Sequence, residues 1–330
     1  MPFRKVDEIE ISGLSRSAVE SRRGSRETLD TSRPFALIVE QEPADKSSIV
    51  NVATVFLTGA ECPYRCTMCD LWQYTLDRAT LPGELVTQVD WALDNLSSRA
   101  ESQPEWIKLY NASNFFDARA VPLEDLSIIA KQCDPFNRVI VENHPKLIRP
   151  TIKEFASSLK GRLEIAMGLE TVHENSMRLL NKGFTLDDFA IAAEQLDKFE
   201  IDRRAFVMLQ PPGTEPAESI DWAMKTLSFA KLHGVRHCSV IPTRMGNGTM
   251  EWFKEESLFV PPTFHQLEQT LKFALSLFAD MIVTVDMWNL EMLSGTCENC
   301  FTLSKERLEQ MNLQQCCLPE VVCQCDCTQD

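Results

Sequence analysis

Between residues 49 and 290 the chain alternates between short apolar runs and apolar stripes at helical spacing. The runs are VATVFL (52–57), WIKLYN (106–111), RVIVEN (138–143), RLEIAMGLE (162–170), RAFVMLQPPG (204–213), HCSVIPT (237–243) and MIVTVDMW (281–288). The stripes between them include Leu85, Val89, Leu93 and Leu96; Leu123, Leu126 and Ile129; and Ile152, Phe155 and Leu159. Further on come Leu186, Phe189, Ala193 and Leu196, a long helix through 216–233, and Phe264, Leu267, Leu271 and Leu275. Apolar runs suit strands covered on both faces, and the stripes suit the helical crossovers that parallel strands require. About six such units predict an α/β fold, a partial (β/α)6 TIM-type barrel, with an open doubly wound sheet as the other arrangement. In parallel barrels the loops after the strands carry the chemistry.

The loop after the first of these runs holds Cys62, Cys66 and Cys69, spaced Cys-x3-Cys-x2-Cys. Three thiolates so close can wrap one polynuclear iron cluster, and a cubane has four irons, so one iron stays open to a small molecule. Half of a zinc site, or three unrelated loop cysteines, are the competing readings.

Hydrophobic content of 44% and charged content of 25% are ordinary for a globular protein. No stretch approaches the ~20 apolar residues of a membrane span, and MPFRKVDEIE lacks the apolar core of a signal peptide. The twelve cysteines fall in tight clusters, which favours metal binding over disulfides and predicts a reducing, cytoplasmic setting. A net charge of −15, from 33 basic and 48 acidic residues, weighs against a nucleic-acid substrate while leaving room for a local basic groove. There is no P-loop, Gly-x-Gly-x-x-Gly string or Ser-His-Asp arrangement.

The strand, the three-cysteine motif and the following βα series resemble the radical S-adenosylmethionine (SAM) superfamily over roughly 50–290. More narrowly, CTMCD, IKLYNASNFFD and GLETVHENSMRLLNKGF resemble the archaeosine-biosynthesis radical SAM enzymes and their uncharacterised relatives, enzymes that act on a modified tRNA base. The resemblance implies that Cys62, Cys66 and Cys69 hold a [4Fe–4S] cluster whose open iron chelates the amino and carboxylate groups of SAM. It further implies an electron donor such as flavodoxin or ferredoxin, and cleavage of SAM to a 5′-deoxyadenosyl radical that abstracts hydrogen from substrate.

The cofactor-binding expectations follow position by position. Met68 stands before the third cysteine, where the family often has an aromatic residue near adenine, and its thioether offers a similar contact. Asn111-Ala112-Ser113 stands where the family often has Gly-Gly-Glu, so Asn111 and Ser113 would accept from the SAM amino group without a carboxylate. Glu142 and Glu170 end their strands at the expected rim, placed for ribose hydroxyls or a cationic substrate. Lys182 is placed for a carboxylate, and Arg244 leads into Met245-Gly246-Asn247-Gly248-Thr249, a turn suited to backbone approach to adenine. The histidines (His144, His173, His233, His237 and His265) read as structural or peripheral, and Cys133 and Cys238 as small buried hydrophobes.

Two flanking segments complete the chain. Residues 1–48 read as a polar N-terminal arm and an edge strand, with Arg22, Arg23 and Arg26 on a solvated face. Residues 291–330 pack seven cysteines into 40 positions, read as a separate small metal-binding unit. The preferred ligands are Cys297, Cys300, Cys323 and Cys325, for zinc or an auxiliary iron–sulfur cluster, with Cys316, Cys317 and Cys327 as alternates. Three functions fit the whole: a radical SAM enzyme acting on a tRNA base, one acting on a small molecule or peptide, and a non-catalytic iron–sulfur sensor.

Overall fold

The computed structural model describes residues 14–99 and 102–322. Its eight strands form one sheet in sequence order. Strand β1 (Ala36–Pro43) runs antiparallel to β2 (Ile49–Phe56). From β2 onward every pairing is parallel, through β3 (Trp106–Tyr110), β4 (Arg138–Glu142), β5 (Arg162–Glu170), β6 (Asp202–Leu209), β7 (His237–Pro242) and β8 (Ile282–Val285). A doubly wound sheet reverses its strand order at a switch point; this order never reverses, and the sheet curls into an open partial barrel.

The crossovers carry α2 (Glu84–Asn95), α3 (Leu123–Gln132), α4 (Pro150–Ser158), α5 (Glu174–Leu180) with α6 (Leu186–Lys198), α7 (Ser219–Leu232), and α8 (Thr249–Glu255) with α9 (Phe264–Leu277). A short helix, α1 (Arg16–Ser21), precedes the sheet, and α10 (Glu298–Gln314) follows it. Side chains of a strand alternate between faces. In β3, Ile107 and Leu109 join the main core with Leu85 and Val89 of α2 and Ile129 of α3. Each such fully buried Leu or Ile contributes roughly 1.5–3 kcal/mol. Trp106 and Tyr110 belong instead to the inner cluster with Val52, Ile140 and Ala166.

Charged side chains occupy the N-terminal half of the barrel interior. Lys108 pairs with Glu40 at 2.8 Å and with Glu42. Arg204 bridges Glu42 at 2.9 Å and Glu164 at 2.7 Å, and Arg138 joins Glu164 to Asp202 at 2.7 and 2.5 Å. Burial alone would raise the Glu164 carboxyl, but Arg204, Arg236 and Arg138 outweigh it and hold the group down at about 2.

The two flanks are bound into this frame. Asn312 of α10 exchanges both backbone hydrogen bonds of Val285 at 2.8 Å, and the Gln315 amide does the same for Val283 at 3.1 and 2.8 Å. Two side-chain amides thereby cover the exposed edge of β8. Leu308 and Met311 of α10 are fully buried in the main core, in a segment whose sequence reads as having little core of its own. At the other flank the solvated-face expectation is corrected for Arg23, whose side chain is largely covered, while Arg26 stays exposed. Both pair with Glu61, Arg23 at 2.8 Å, and Arg26 also donates to the carbonyls of Trp72 and Thr75 at 3.0 Å. Their partners lie more than thirty positions away, so charge patterning along the arm did not reveal them.

Candidate active site

The three-cysteine loop leaves the C-terminal end of β2, the end where parallel barrels place their chemistry. Gln88 of α2 holds the loop's start, accepting from Thr58 N–H at 2.7 Å and donating to its carbonyl at 2.9 Å. Gly59 stands in a tight place: a Cβ would lie 3.1 Å from Thr80 Oγ1 and 3.2 Å from the Ala120 carbonyl, so both would have to give slightly.

The middle of the loop is pinned by the turn after α5. Thr67 donates its N–H to the Leu180 carbonyl at 3.1 Å and its hydroxyl to that of Leu179 at 2.8 Å. Asn181, in the left-handed conformation that ends α5, donates to the Arg65 carbonyl at 3.1 Å. Asn247 of the glycine turn donates to the Thr67 carbonyl at 3.0 Å. Tyr64 stacks on His144 at 3.7 Å between ring centroids, and His144 Nε2 lies 2.9 Å from the Lys182 carbonyl. Burial pushes the His144 imidazole down to about 4, so it stays neutral and packed, in keeping with a structural role.

Cys62, Cys66 and Cys69 are all half-buried. Burial raises the Cys62 thiol and lifts Cys66 to about 11, and it raises Cys69 as well, with Cys66 adding to the effect. Asn114 donates to Cys62 Sγ at 3.2 Å, and the Lys182 ammonium favours the thiolates of Cys62 and Cys66. Among the described residues no three metal-binding side chains close on a single ion. A cubane's thiolates bind separate irons and so stand further apart than ligands sharing one ion.

The other expected site residues divide into two groups. Lys182 and Glu170 come together at 2.5 Å, both buried, beside the cysteine loop. Burial lowers the Lys182 ammonium, but Glu170 and Cys66 more than restore it, and the group is held above its ordinary value. A bulge between Gly168 and Glu170 and a φ of 64° at Glu170 turn the carboxylate onto Lys182. Any Cβ at Gly168 would strike both groups. Glu142 faces this pair; burial pushes its carboxyl up to about 7 despite the attraction of Lys182. Asn111 is fully buried with neither amide atom hydrogen-bonded, and the buried Ser113 hydroxyl is equally without a partner. Leaving such groups unpaired costs about 1–3 kcal/mol each.

Met68 and Arg244 each have protein partners, and the Arg244 charge also acts on Asp70 beside Cys69. Met68 packs against a small cluster built by Leu14, Leu179, Met250 and Phe253. Arg244 pairs with Asp286 at 2.8 Å and donates to the Trp288 carbonyl. In the glycine turn the N–H groups of Gly246 and Gly248 donate to Glu251 at 2.5 and 2.7 Å, and a Cβ on Gly248 would meet the Arg22 backbone. Cys323 and Cys325 lie outside the described residues. Sequence reasoning missed Asn114, Asn181 and Asn247 as holders of the loop. For Asn181 the signal was present: an Asn followed by Lys-Gly just past a helical stripe marks a left-handed helix end.

No family model matches the chain. An uncharacterised protein of Methanocaldococcus jannaschii is 23% identical over 306 residues, 88% of this chain and 84% of that one. The archaeosine synthase subunit beta of Methanosarcina acetivorans is 26% identical over 292 residues, covering 83% and 82% respectively. Among solved structures, Methanocaldococcus infernus Elp3 superposes with a TM-score of 0.52 at 14% identity. That match covers 72% of this chain and 62% of Elp3, less than two thirds of its length. The sequential parallel sheet, the three-cysteine loop after its first parallel strand and these likenesses together give the chain the radical SAM fold, with archaeosine synthase beta subunits among its sequence relatives.

Proposed function

We propose that the chain is a radical SAM enzyme and that it acts on a base of tRNA, as archaeosine synthase does. The observation that carries the first half is the loop of three half-buried cysteines after β2, with Asn114 on Cys62 and unsatisfied polar atoms at Asn111 and Ser113 just before it in the chain. The second half is supported by the sequence relatives. Cys62, Cys66 and Cys69 would hold a [4Fe–4S] cluster, with SAM at its remaining iron. When bound, the pair supplies a 5′-deoxyadenosyl radical, given an electron from a reductant such as a flavodoxin or ferredoxin.

The chain's own residues bind and orient. Asn111 Oδ1 and Ser113 Oγ are free to accept from an ammonium, which replaces the missing family glutamate. Lys182 gives one proton to Glu170 and keeps others for a carboxylate. Glu142 holds its proton to about pH 7, so near neutrality its carboxyl either donates to or accepts from ribose hydroxyls or substrate. Phe56 meets Tyr110 and Trp288 edge-on, and Tyr110 meets Phe206 in the same way, a chain of half-buried rings that ends at the exposed Trp288. Met68, in the cysteine loop, and Arg244, whose charge acts on Asp70, would stand at the edge of this space with their thioether and guanidinium.

The net charge of −15 favours a second reading, a small-molecule or peptide substrate for the same chemistry. Anaerobically reconstituted protein, incubated with SAM and reductant, separates the two. A rise in 5′-deoxyadenosine on adding tRNA, weakening with salt, supports the tRNA reading; a rise only with small-molecule or peptide pools overturns it. A cluster-loaded protein that never cleaves SAM would leave an iron–sulfur sensor instead.

A further inference from the structure

The cysteine loop has almost no core of its own. Of residues 61–70 only Thr67 is buried, and a loop of that kind keeps its shape through polar contacts or not at all. Besides the contacts from the end of α5 and the glycine turn, a second set comes from residues 14–31, ahead of the sheet. Leu14 packs with Met68, Leu179 and Met250. The Arg22 guanidinium lies over the Trp252 ring at 4.1 Å, and that of Arg23 over the Trp72 ring at 4.9 Å. Glu27 N–H donates to the Gln73 carbonyl at 3.0 Å, and Gln88 of α2 donates to the Thr31 carbonyl at 3.2 Å. From Leu14 to Glu27 the segment thus follows the loop.

Glu61 joins the two. It stands immediately before Cys62, and its N–H donates to the Leu76 carbonyl at 3.3 Å where the loop returns. Its carboxylate takes Arg23 at 2.8 Å and Arg65 at 3.2 Å on one oxygen, and Arg26 on the other. The side chains of Glu61, Arg23 and Arg65 are only 14%, 10% and 10% exposed, so solvent screens these pairs less than it screens an ordinary surface pair. Arg65 itself stands between Cys62 and Cys66. It donates to the carbonyls of Cys62 at 2.5 Å and Tyr64 at 3.0 Å, and it reaches Glu20 of α1 at 2.6 Å. One carboxylate therefore orients the guanidinium that holds the backbone between two of the cysteines. Without that carboxylate three guanidiniums would face one another, two of them largely covered.

We propose that Glu61 is a positioning residue for the cluster: it gathers Arg23, Arg26 and Arg65 and so fastens residues 14–31 over the cysteine loop. Given the reading of Cys62, Cys66 and Cys69 as cluster ligands, on which this role rests, Glu61 orders the backbone between two thiolates before iron enters. A site with several ligands binds more tightly when its backbone is already ordered, because less conformational freedom is lost as the ligands close. No electron or proton passes through Glu61. The coupling is reciprocal: where the fastened segment favours the cluster, the cluster favours the fastened segment.

Two measurements on the full chain, reconstituted without oxygen, test this apart from catalysis. In the first, an iron chelator is added and the loss of the cluster's visible absorbance is timed. Glu61→Gln should lose its cluster about tenfold faster than the wild type. Glu61→Asp should recover part of the difference, and Arg23→Gln added to Glu61→Gln should speed the loss no further. In the second, cleavage by trypsin after Arg22, Arg23 and Arg26 is followed with and without the cluster. Loading should slow this cleavage in the wild type and leave it unchanged in Glu61→Gln. A residue that only supports the fold would speed cleavage to the same degree in both states. Arg23→Gln, with a smaller acceleration expected, serves the first measurement where Glu61→Gln fails to fold. Cluster loss at the wild-type rate in the folded variant, or wild-type cleavage indifferent to loading, overturns the role of Glu61 and leaves the cluster standing. A wild type that binds no iron overturns the cluster reading together with it.

Discussion

The two ends of the barrel interior treat their polar groups in opposite ways. At the N-terminal end, Lys108, Arg204 and Arg138 each sit between two carboxylates drawn from Glu40, Glu42, Glu164 and Asp202. His237 Nδ1 and Arg236 Nε are the unpaired atoms there. At the C-terminal end, the buried Asn111 amide and the Ser113 hydroxyl are without partners, and burial raises the Glu142 carboxyl to about 7. Burial acts on both ends; the difference lies in what opposes it. Arginines meet the lower carboxylates within hydrogen-bond range, whereas Glu142 faces Lys182 already committed to Glu170. The floor satisfies itself and acts as a plug, and the mouth is left complementary to something that binds.

Mutation should separate the two ends, and the largest effect is expected at the floor. Arg204→Met leaves Glu42 and Glu164 facing each other without their shared cation, and thermal or urea unfolding should show a loss of about 3–5 kcal/mol. A loss below about 1 kcal/mol would mean that the floor is not the self-satisfied unit described. Acid should act on the same group. The folded-state pKa of Glu164 is depressed to about 2, so the stability it contributes is complete above its ordinary value near 4.5 and drains away as pH falls toward 2. Denaturation midpoints followed through that window should drop in the wild type and flatten in Glu164→Gln.

The mouth should respond in the reverse sense. Asn111→Ala removes a buried unpaired amide, so stability should hold or rise by up to about 1–3 kcal/mol while SAM affinity falls about tenfold, equivalent to about 1.4 kcal/mol, by calorimetry on the reconstituted protein. Unchanged affinity with a large stability loss would invert the comparison. A smaller effect is expected at Glu142, whose folded-state pKa is raised to about 7. Its contribution is complete below about 4.5 and is lost as pH rises through 7. Glu142→Gln should therefore hold its stability between those values, where the wild type declines.

Much of the frame was legible in the sequence. The run at 138–143 anticipates β4 almost to the residue, and Leu85 and Val89 lie on the buried face of α2 as their spacing requires. The run at 281–288 overreached, because β8 ends at Val285 and the chain then turns through Asp286. The cysteine loop was legible because its three cysteines are neighbours in the chain. The floor was not: Lys108 inside WIKLY and Glu164 inside RLEIAM break apolar strands, yet their partners come from β1 and β6, brought near only when the sheet curls. Asn111 and Ser113 were found by likeness to a family position, and only the fold revealed that their polar atoms are unpaired.

The central claim is that the mouth of this barrel binds SAM at a cluster held by Cys62, Cys66 and Cys69. Formation of 5′-deoxyadenosine by anaerobically reconstituted protein tests it most directly, with Cys66→Ala beside the wild type. The account predicts steady formation by the wild type and none above background for the variant. Equal product from both, or none from a wild type that carries its full iron, would contradict it.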